Sequence, residues 1–353
     1  MSKFWSEAIT NLQPYVPGEQ PKTTNITKLN TNENPYPPSP KVLETLEHFP
    51  KEKLRLYPDP DGSVLKQALS DHFELPQDHI FVGNGSDEVL AHAFMAFFRQ
   101  PKPLLMPSMT YSFYDVYCNL YDITAEHIPL SDDFRINLNE YHQDNGGIIF
   151  ANPNAPTGIA VGLDEIETLL KRNTETLVLV DEAYVDFGAE SACTLVKRYP
   201  NLLVVQTLSK SRSLAGMRVG FALGHPDLIA GLDRVKNSFN SYPLDMLALA
   251  SATAAIEDTA YFAQTVQQIM NDRDWTTEQL EMLDFDVLPS STNFVFARHK
   301  TASGADLMSY LRSKNILVRH FTKPGIENHL RITIGTRDEM QALITALKER
   351  PHS

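Results

Sequence analysis

Apolar residues recur along this chain in short unbroken runs set between amphipathic stretches. Residues 80–82, 103–106, 147–151, 177–180 and 202–206 are such runs, each of strand length. Between them, the spacing predicts helices over 63–72, 87–98 and 163–171, the first with Val64, Leu65, Ala68 and Leu69 on one face. Gly83-Asn84-Gly85-Ser86 reads as a turn. Strands that are apolar throughout and alternate with helices predict an α/β fold, with a mostly parallel sheet covered on both faces.

Both ends of the chain have a different texture. The segment to about Pro40 is irregular, and Pro35, Pro37, Pro38, Pro40, Pro50, Pro58 and Pro60 exclude a long helix there. From about Pro243, long helices are expected over 244–255 and 261–282. Strands follow over 293–297, 316–319 and 330–334, with a helix over 304–313 and a final one from Asp338. The pattern predicts an N-terminal arm (1–40), a large domain (41–243) and a smaller α+β domain (244–353), with a long helix joining the last two.

Composition narrows the class. Of 353 residues, 42% are hydrophobic, ample for a core, and 21% are charged, ordinary for a soluble protein. The formal net charge of −13 argues against non-specific binding to nucleic acid or anionic membranes, though not against a local basic pocket. Cys118 and Cys193 are too few for a metal cluster, and no metal site is expected. The first residues lack an apolar leader and no apolar run reaches the length of a membrane span, so a reduced, cytoplasmic setting is expected.

A parallel sheet of this kind forms its site at the carboxyl ends of strands. Ser86, Asn154, Asp181 and Lys210 all fall there. Lys210 stands in Thr207-Leu208-Ser209-Lys210-Ser211, eight residues before Arg218 in Gly216-Met217-Arg218-Val219-Gly220. Its amine can form a Schiff base with an aldehyde cofactor, while Thr207, Ser209 and the Arg218 fork can hold that cofactor's phosphate. Gly83-Asn84-Gly85-Ser86-Asp87 precedes a helix whose first N–H groups can also face a phosphate. Taken alone, that turn is more often an ordinary strand–helix junction, and Arg218 more often a structural ion-pair residue. Asp181 can keep a pyridine nitrogen protonated, but it can also cap a helix or bind a metal. The chain has no Gly-x-x-x-x-Gly-Lys-Ser/Thr loop to support an ATPase reading of Asp181-Glu182. Tyr184 can donate to a phenolate oxygen, and Tyr111 can stack on the ring or simply fill core. Together these residues read as a pyridoxal-phosphate site.

These segments are joined by Leu29-Asn30-Thr31-Asn32-Glu33-Asn34-Pro35-Tyr36, Leu56-Tyr57-Pro58, Asn152-Pro153-Asn154-Ala155-Pro156-Thr157-Gly158 and Leu330-Arg331-Ile332-Thr333-Ile334-Gly335. In that order, from Tyr15 to about Arg337, the chain resembles the fold-type I, class II aminotransferases. Its Asn-Glu-Asn-Pro-Tyr segment and its Arg319/Arg331 pair resemble the histidinol-phosphate aminotransferases among them.

The resemblance implies a large domain with a mostly parallel seven-stranded sheet, a smaller α+β C-terminal domain, and pyridoxal 5′-phosphate as cofactor. It implies Lys210 as the Schiff-base lysine and proton carrier, Asp181 as partner of the pyridine nitrogen, Tyr184 as donor to the phenolate oxygen and Tyr111 as ring stacker. Ser86, Asp87, Thr207, Ser209 and Arg218 would hold the phosphate. Tyr57 would reach the cofactor phosphate of a neighbouring subunit, which implies a homodimer with shared active sites. Arg331 would grip the carboxylate of glutamate, Arg319 and Tyr15 would contact the phosphate of histidinol phosphate, and Asn32 would join them in binding substrate. The implied partners are small molecules (histidinol phosphate, 2-oxoglutarate and glutamate), with neither nucleic acid nor membrane. The family often reads Asn-Asn-Pro-Thr-Gly where this chain has Ala155 before the proline, so Asn154 is the candidate to take over the contact with the phenolate oxygen. Alternatives on the same scaffold are an aromatic-amino-acid aminotransferase and a threonine-phosphate decarboxylase. A ligand-binding regulator is a further alternative, but it would need a DNA-binding module, for which no room is expected before Tyr15 or after Arg337.

Overall fold

Two sheets organise the residues that the computed structural model describes, 2–10, 12–16, 18–22 and 25–350. Their strands are β1 (Thr27–Leu29), β2 (Ile80–Asn84), β3 (Leu104–Pro107), β4 (Ala125–Ile128), β5 (Gly147–Ala151), β6 (Val178–Asp181), β7 (Leu202–Thr207), β8 (Val219–Gly224), β9 (Phe285–Val287), β10 (Phe294–His299), β11 (Ile316–His320) and β12 (His329–Thr333). The α-helices are α1 (Glu7–Thr10), α2 (Pro40–Glu47), α3 (Ser63–Phe73), α4 (Gly85–Ala93), α5 (Phe113–Tyr121), α6 (Leu163–Arg172), α7 (Pro226–Phe239), α8 (Met246–Glu257), α9 (Thr259–Glu281), α10 (Gly304–Ser313) and α11 (Arg337–Lys348).

The larger sheet has seven strands in the order β2-β8-β7-β6-β5-β3-β4. Only β8 runs against the others. The wholly buried runs β5, β6 and β7 lie at its centre, which is why their sequences show no polar alternation. One face packs on α3, α6 and α8, the other on α4, α5 and α7, giving two separate apolar clusters. The second sheet, β1-β11-β12-β10-β9, is antiparallel except that β1 pairs parallel with β11. It is backed by α9, α10 and α11.

Helix ends follow from local chemistry. Asp245, Asp258 and Ser303 accept from the first-turn N–H groups of α8, α9 and α10, and Thr336 with Glu339 forms a reciprocal capping box on α11.

Several elements depart from the sequence expectation. β1 lies within the stretch expected to be irregular, and contributes a strand only by pairing with β11. Helix α4 starts at Gly85 rather than Asp87, so the expected turn is divided between a strand end and a helix start, and the helix widens into a π-turn over Phe94–Phe98. Val64 is 69% exposed, while Leu65, Ala68 and Leu69 are buried. β4, β8, α5 and α7 were not anticipated. β4 is a sheet edge with an exposed Glu126-His127 centre, and the two glycines of β8 weaken its strand signal although all six of its residues are buried. Among the described residues no helix is long and apolar enough to cross a membrane.

Candidate active site

The carboxyl ends of β2, β5, β6 and β7 open on one cavity of about 420 Å³. Because β8 is antiparallel, its start brings Arg218 to the same end of the sheet. The cavity's other wall comes from the second sheet and from the segment before α2. Tyr15, Asn32, Ser86, Asp87, Tyr111, Asp181, Tyr184, Thr207, Ser209, Lys210, Arg218, Arg319 and Arg331 all line it. Thus residues spread over most of the chain converge on one space.

One group of these residues is built to receive an anion. Ser86 lies in the first turn of α4, where unpaired backbone N–H groups and the helix dipole favour negative charge. Arg218 sits at a left-handed φ of 54° and donates from Nη2 to Asp87 Oδ2 at 2.9 Å. The strands and helix here are in very close contact: a Cβ on Gly220 would lie 2.3 Å from the Ser86 nitrogen. Thr207 donates to Ser209 Oγ at 2.9 Å and accepts from the Ser209 N–H at 3.1 Å, which fixes the loop that follows β7. The Asp87 carboxylate is occupied by Arg218 and by the Tyr111 hydroxyl at 3.0 Å. Its side chain therefore orients the cation and the aromatic wall, and only its N–H is of a kind to face a phosphate. Burial, followed by the nearby Asp87 charge, pushes the Tyr111 hydroxyl well above its usual range, so it remains a neutral donor.

Asp181 is almost fully buried. Its hydrogen-bond partners, the Tyr114 hydroxyl at 2.7 Å and the Ala183 N–H at 3.2 Å, are both neutral. Burial raises its carboxyl to about 6, against the lowering effect of these two donors. A carboxylate held without a cation at a cavity wall is suited to a ligand that brings a basic nitrogen. Next to it in sequence, Glu182 points to other partners, Ser191, Ala192 and Gln206, and burial raises it to about 7.

Lys210 donates from Nζ to the Thr31 carbonyl at 3.3 Å and stands 5.8 Å from the centre of the Tyr184 ring. Asn32 Nδ2 donates to Tyr184 Oη at 2.9 Å, which leaves the hydroxyl proton free for another acceptor. Asn32 has φ of 59°, accepts from Thr333 Oγ1 at 3.0 Å and is bridged to the second sheet through Asn293. It thus ties the Tyr184 hydroxyl to the second sheet.

Two expected residues do not line the cavity. Asn154 is buried, with both amide protons engaged by the Met109 carbonyl at 2.9 Å and Thr157 Oγ1 at 3.3 Å. Ala155 lines the wall instead. In this arrangement both Asn154 amide protons are already engaged within the loop. Tyr57 is 80% exposed and stacks on Tyr242, with ring centres 4.7 Å apart. Conversely, Gln20, Asn30, Thr31, Glu33 and Phe321 line the cavity without having been anticipated. Thr31 and Glu33 flank Asn32 within the Leu29-to-Tyr36 segment, and that adjacency is the signal the sequence carries for them. Phe321, two residues after Arg319, could have been found by strand alternation.

The cavity is locally cationic in an acidic protein: Lys210, Arg218, Arg319 and Arg331 line it against Glu33, Asp87 and Asp181. Glu33 is bonded to Lys28 and to Thr31, the latter at 2.6 Å. Among the described residues no group of three His, Cys, Asp or Glu side chains is placed to hold a metal. The donor set fits pyridoxal 5′-phosphate: an anion-binding helix start with Arg218 and Ser209, a buried Asp181 without a cation, and the Lys210 amine in one cavity.

Comparison with known proteins agrees with this geometry. The family model for aminotransferase class I and II matches residues 24–347. Histidinol-phosphate aminotransferase 1 of Pseudomonas fluorescens is 56% identical over 349 residues, covering 99% of this chain and 100% of the relative. Its counterpart from Hydrogenovibrio crunogenus is 57% identical, with 99% and 98% covered. Among solved structures, histidinol-phosphate aminotransferase from Sinorhizobium meliloti in complex with pyridoxal-5′-phosphate superposes with a TM-score of 0.88 at 23% identity, over 99% of this chain and 98% of that one. At that identity the likeness shows the fold.

Proposed function

The chain belongs to the class I and II aminotransferases, and on that premise we propose that it transaminates L-histidinol phosphate with 2-oxoglutarate, giving imidazole acetol phosphate and glutamate in histidine biosynthesis. The relatives that are 56% and 57% identical along essentially their whole length carry this activity by name. The structural observation that carries the reading is the presence of Arg319 and Arg331 together in the cavity of Lys210. The reaction alternates a phosphate-bearing amine with a dicarboxylate in one place, and guanidinium forks accept either anion. An aromatic-amino-acid aminotransferase or a threonine-phosphate decarboxylase on this scaffold would share the cofactor site and differ in substrate.

When bound, pyridoxal 5′-phosphate supplies an aldehyde that receives the amino group and a ring that draws off the electron pair left on the substrate carbon. Ser86, Ser209 and Arg218, with the first N–H groups of α4, hold its phosphate, and Thr207 and Asp87 keep these groups in place. Asp181 holds a proton on the ring nitrogen. Tyr111 provides an aromatic wall, and Tyr184, oriented by Asn32, donates its hydroxyl proton to the ring oxygen. Lys210 Nζ anchors the cofactor and then acts as the base that takes the proton from the substrate carbon bearing the amine. Arg331 binds the substrate carboxylate, and Arg319 with Tyr15 binds the phosphate of histidinol phosphate.

The reading extends to a cytoplasmic homodimer in which Tyr57 serves the site of a second copy. Its support is that Tyr57 is exposed, backed by Tyr242, and absent from the cavity of its own chain.

The test is a single-turnover spectrum of the cofactor-loaded protein with histidinol phosphate, phenylalanine and threonine phosphate added separately. Rapid conversion of the cofactor to its amine form by histidinol phosphate at low concentration is expected. A faster response to phenylalanine would move the assignment to an aromatic aminotransferase, and carbon dioxide release from threonine phosphate would move it to a decarboxylase.

A further inference from the structure

The face of the second sheet that looks into the cavity carries two cations and three aromatic rings. Arg319 on β11 and Arg331 on β12 are register partners, so their side chains leave the same face directly opposite one another. Phe296 on β10 is the register partner of Arg331 on its other side, and Phe294 lies two residues away on the same strand face. Phe321 follows Arg319 by two residues, just after β11.

Like charges placed opposite each other across strands repel, and neither arginine pairs with a carboxylate among the described residues. Among the described residues the Arg331 guanidinium has one hydrogen bond, from Nη2 to the Asn30 carbonyl at 3.1 Å, and burial is the first cause lowering its basicity, with Arg319 adding to it. What surrounds the two guanidinium groups is aromatic. The Arg331 guanidinium carbon lies 5.3 Å from the centre of the Phe294 ring and 5.8 Å from that of Phe321. The Arg319 carbon lies 5.7 Å from the same Phe321 ring. Phe321 itself stands edge-on to Phe296, with centres 6.0 Å apart and planes at 74°. Phe294 and Phe296 are fully buried, whereas Phe321 is partly exposed and lines the cavity. Among the described residues Phe321 is therefore the one ring shared by both cations and by the cavity.

We propose that Phe321 is a positioning residue for substrate specificity: its ring holds Arg319 and Arg331 at a fixed separation, so that the pair accepts both a phosphate monoester and a dicarboxylate. The inference rests on the two-anion reading of the site given above. An aromatic quadrupole attracts each cation without neutralising it, so both remain available to an incoming anion. A carboxylate in the same position would form an ion pair and compete with the substrate. The ring also restricts two long side chains before substrate arrives, which reduces the ordering cost of binding.

The experiment compares Phe321→Leu and Phe321→Tyr with the unaltered enzyme, all loaded with pyridoxal phosphate. Binding of inorganic phosphate and of succinate, neither of which can react, is followed by calorimetry, alongside KM and kcat for histidinol phosphate and 2-oxoglutarate. Phe321→Leu is expected to weaken both anions and raise both KM values about five- to tenfold with kcat nearly unchanged, and Phe321→Tyr to restore them. A Phe321→Leu protein that binds both anions as the unaltered enzyme does would overturn the proposal. So would one that only loses melting temperature and cofactor content, its folded fraction binding normally, because that is the signature of a packing role. If the unaltered enzyme ignores histidinol phosphate while Phe321→Leu still weakens succinate and phosphate, the substrate assignment fails and the role of Phe321 stands.

Discussion

Arg319 and Arg331 face each other as register partners on β11 and β12, two cations side by side that share the Phe321 ring and have no carboxylate partner among the described residues. Their roles should separate on substitution. Arg319→Ala is expected to raise KM for histidinol phosphate by about 10- to 100-fold, the loss of a charged hydrogen bond, while affecting glutamate much less. Arg331→Ala should weaken both substrates. Steady-state kinetics with each substrate varied in turn checks this; an equal loss for glutamate in Arg319→Ala would make Arg319 a general anion contact.

Lys210 Nζ donates one long hydrogen bond, to the Thr31 carbonyl, and the residue is only partly buried. Its truncation should spare the fold. Lys210→Ala is expected to lose the visible absorbance of the covalently held cofactor and at least about 10³-fold in turnover, with an unchanged far-ultraviolet circular dichroism spectrum. Full turnover by this variant would remove Lys210 from the reaction.

Asp181 ties stability to pH in the cofactor-free protein. Its folded carboxyl, raised by burial to about 6, binds a proton more tightly than the unfolded one, so folding loses stability as pH rises from the ordinary carboxylate range to about 6 and stays lower above it. The difference corresponds to about 3 kcal/mol. Cofactor-free Asp181→Asn should therefore melt higher than the unaltered protein at pH 8, with the gap closing as pH falls from about 6 to about 4. Loaded with cofactor the order should reverse, since the ring nitrogen loses its anionic partner. Paired thermal melts across pH, with and without cofactor, give the answer, and a gap independent of pH would refute the charge argument.

Asn32 combines a left-handed backbone with side-chain bonds to Tyr184 and Thr333. Asn32→Ala loses both bonds and adds backbone strain, about 2–4 kcal/mol in total. Asn32→Gly loses the bonds but not the conformation, and should be about 1 kcal/mol more stable than the alanine variant. Denaturant titration of the two variants separates the contributions; equal stabilities would show that the backbone conformation relaxes.

Much of the architecture could be read from local pattern. The central strands β5, β6 and β7 are continuous apolar runs because both faces of the sheet are covered, and α6 and α10 show their apolar stripes directly. Elements whose stability comes from their neighbours were harder to see. β1 is three residues that become a strand by pairing with β11, β4 is a half-exposed edge, and β8 contains two glycines, Gly220 packed against the start of α4 and Gly224 against β7. In each case the tertiary partner outweighs the local propensity.

By itself the sequence determined the alternation of strands and helices and the chemistry at the strand ends, with Asp181, Lys210 and Arg218 in motifs spaced for a phosphate-bearing aldehyde. These are properties of residue type and short spacing, which any reading along the chain retains. The tertiary structure decided which side chains meet: Asn32 bonded to Tyr184, Asp87 between Tyr111 and Arg218, Phe321 against both arginines, and Asn154 turned to Met109 rather than to the cavity. Those contacts depend on strand register and on two sheets closing over one space. Both are set by packing between segments as far apart as Asn32 and Thr333, and no local pattern carries that information.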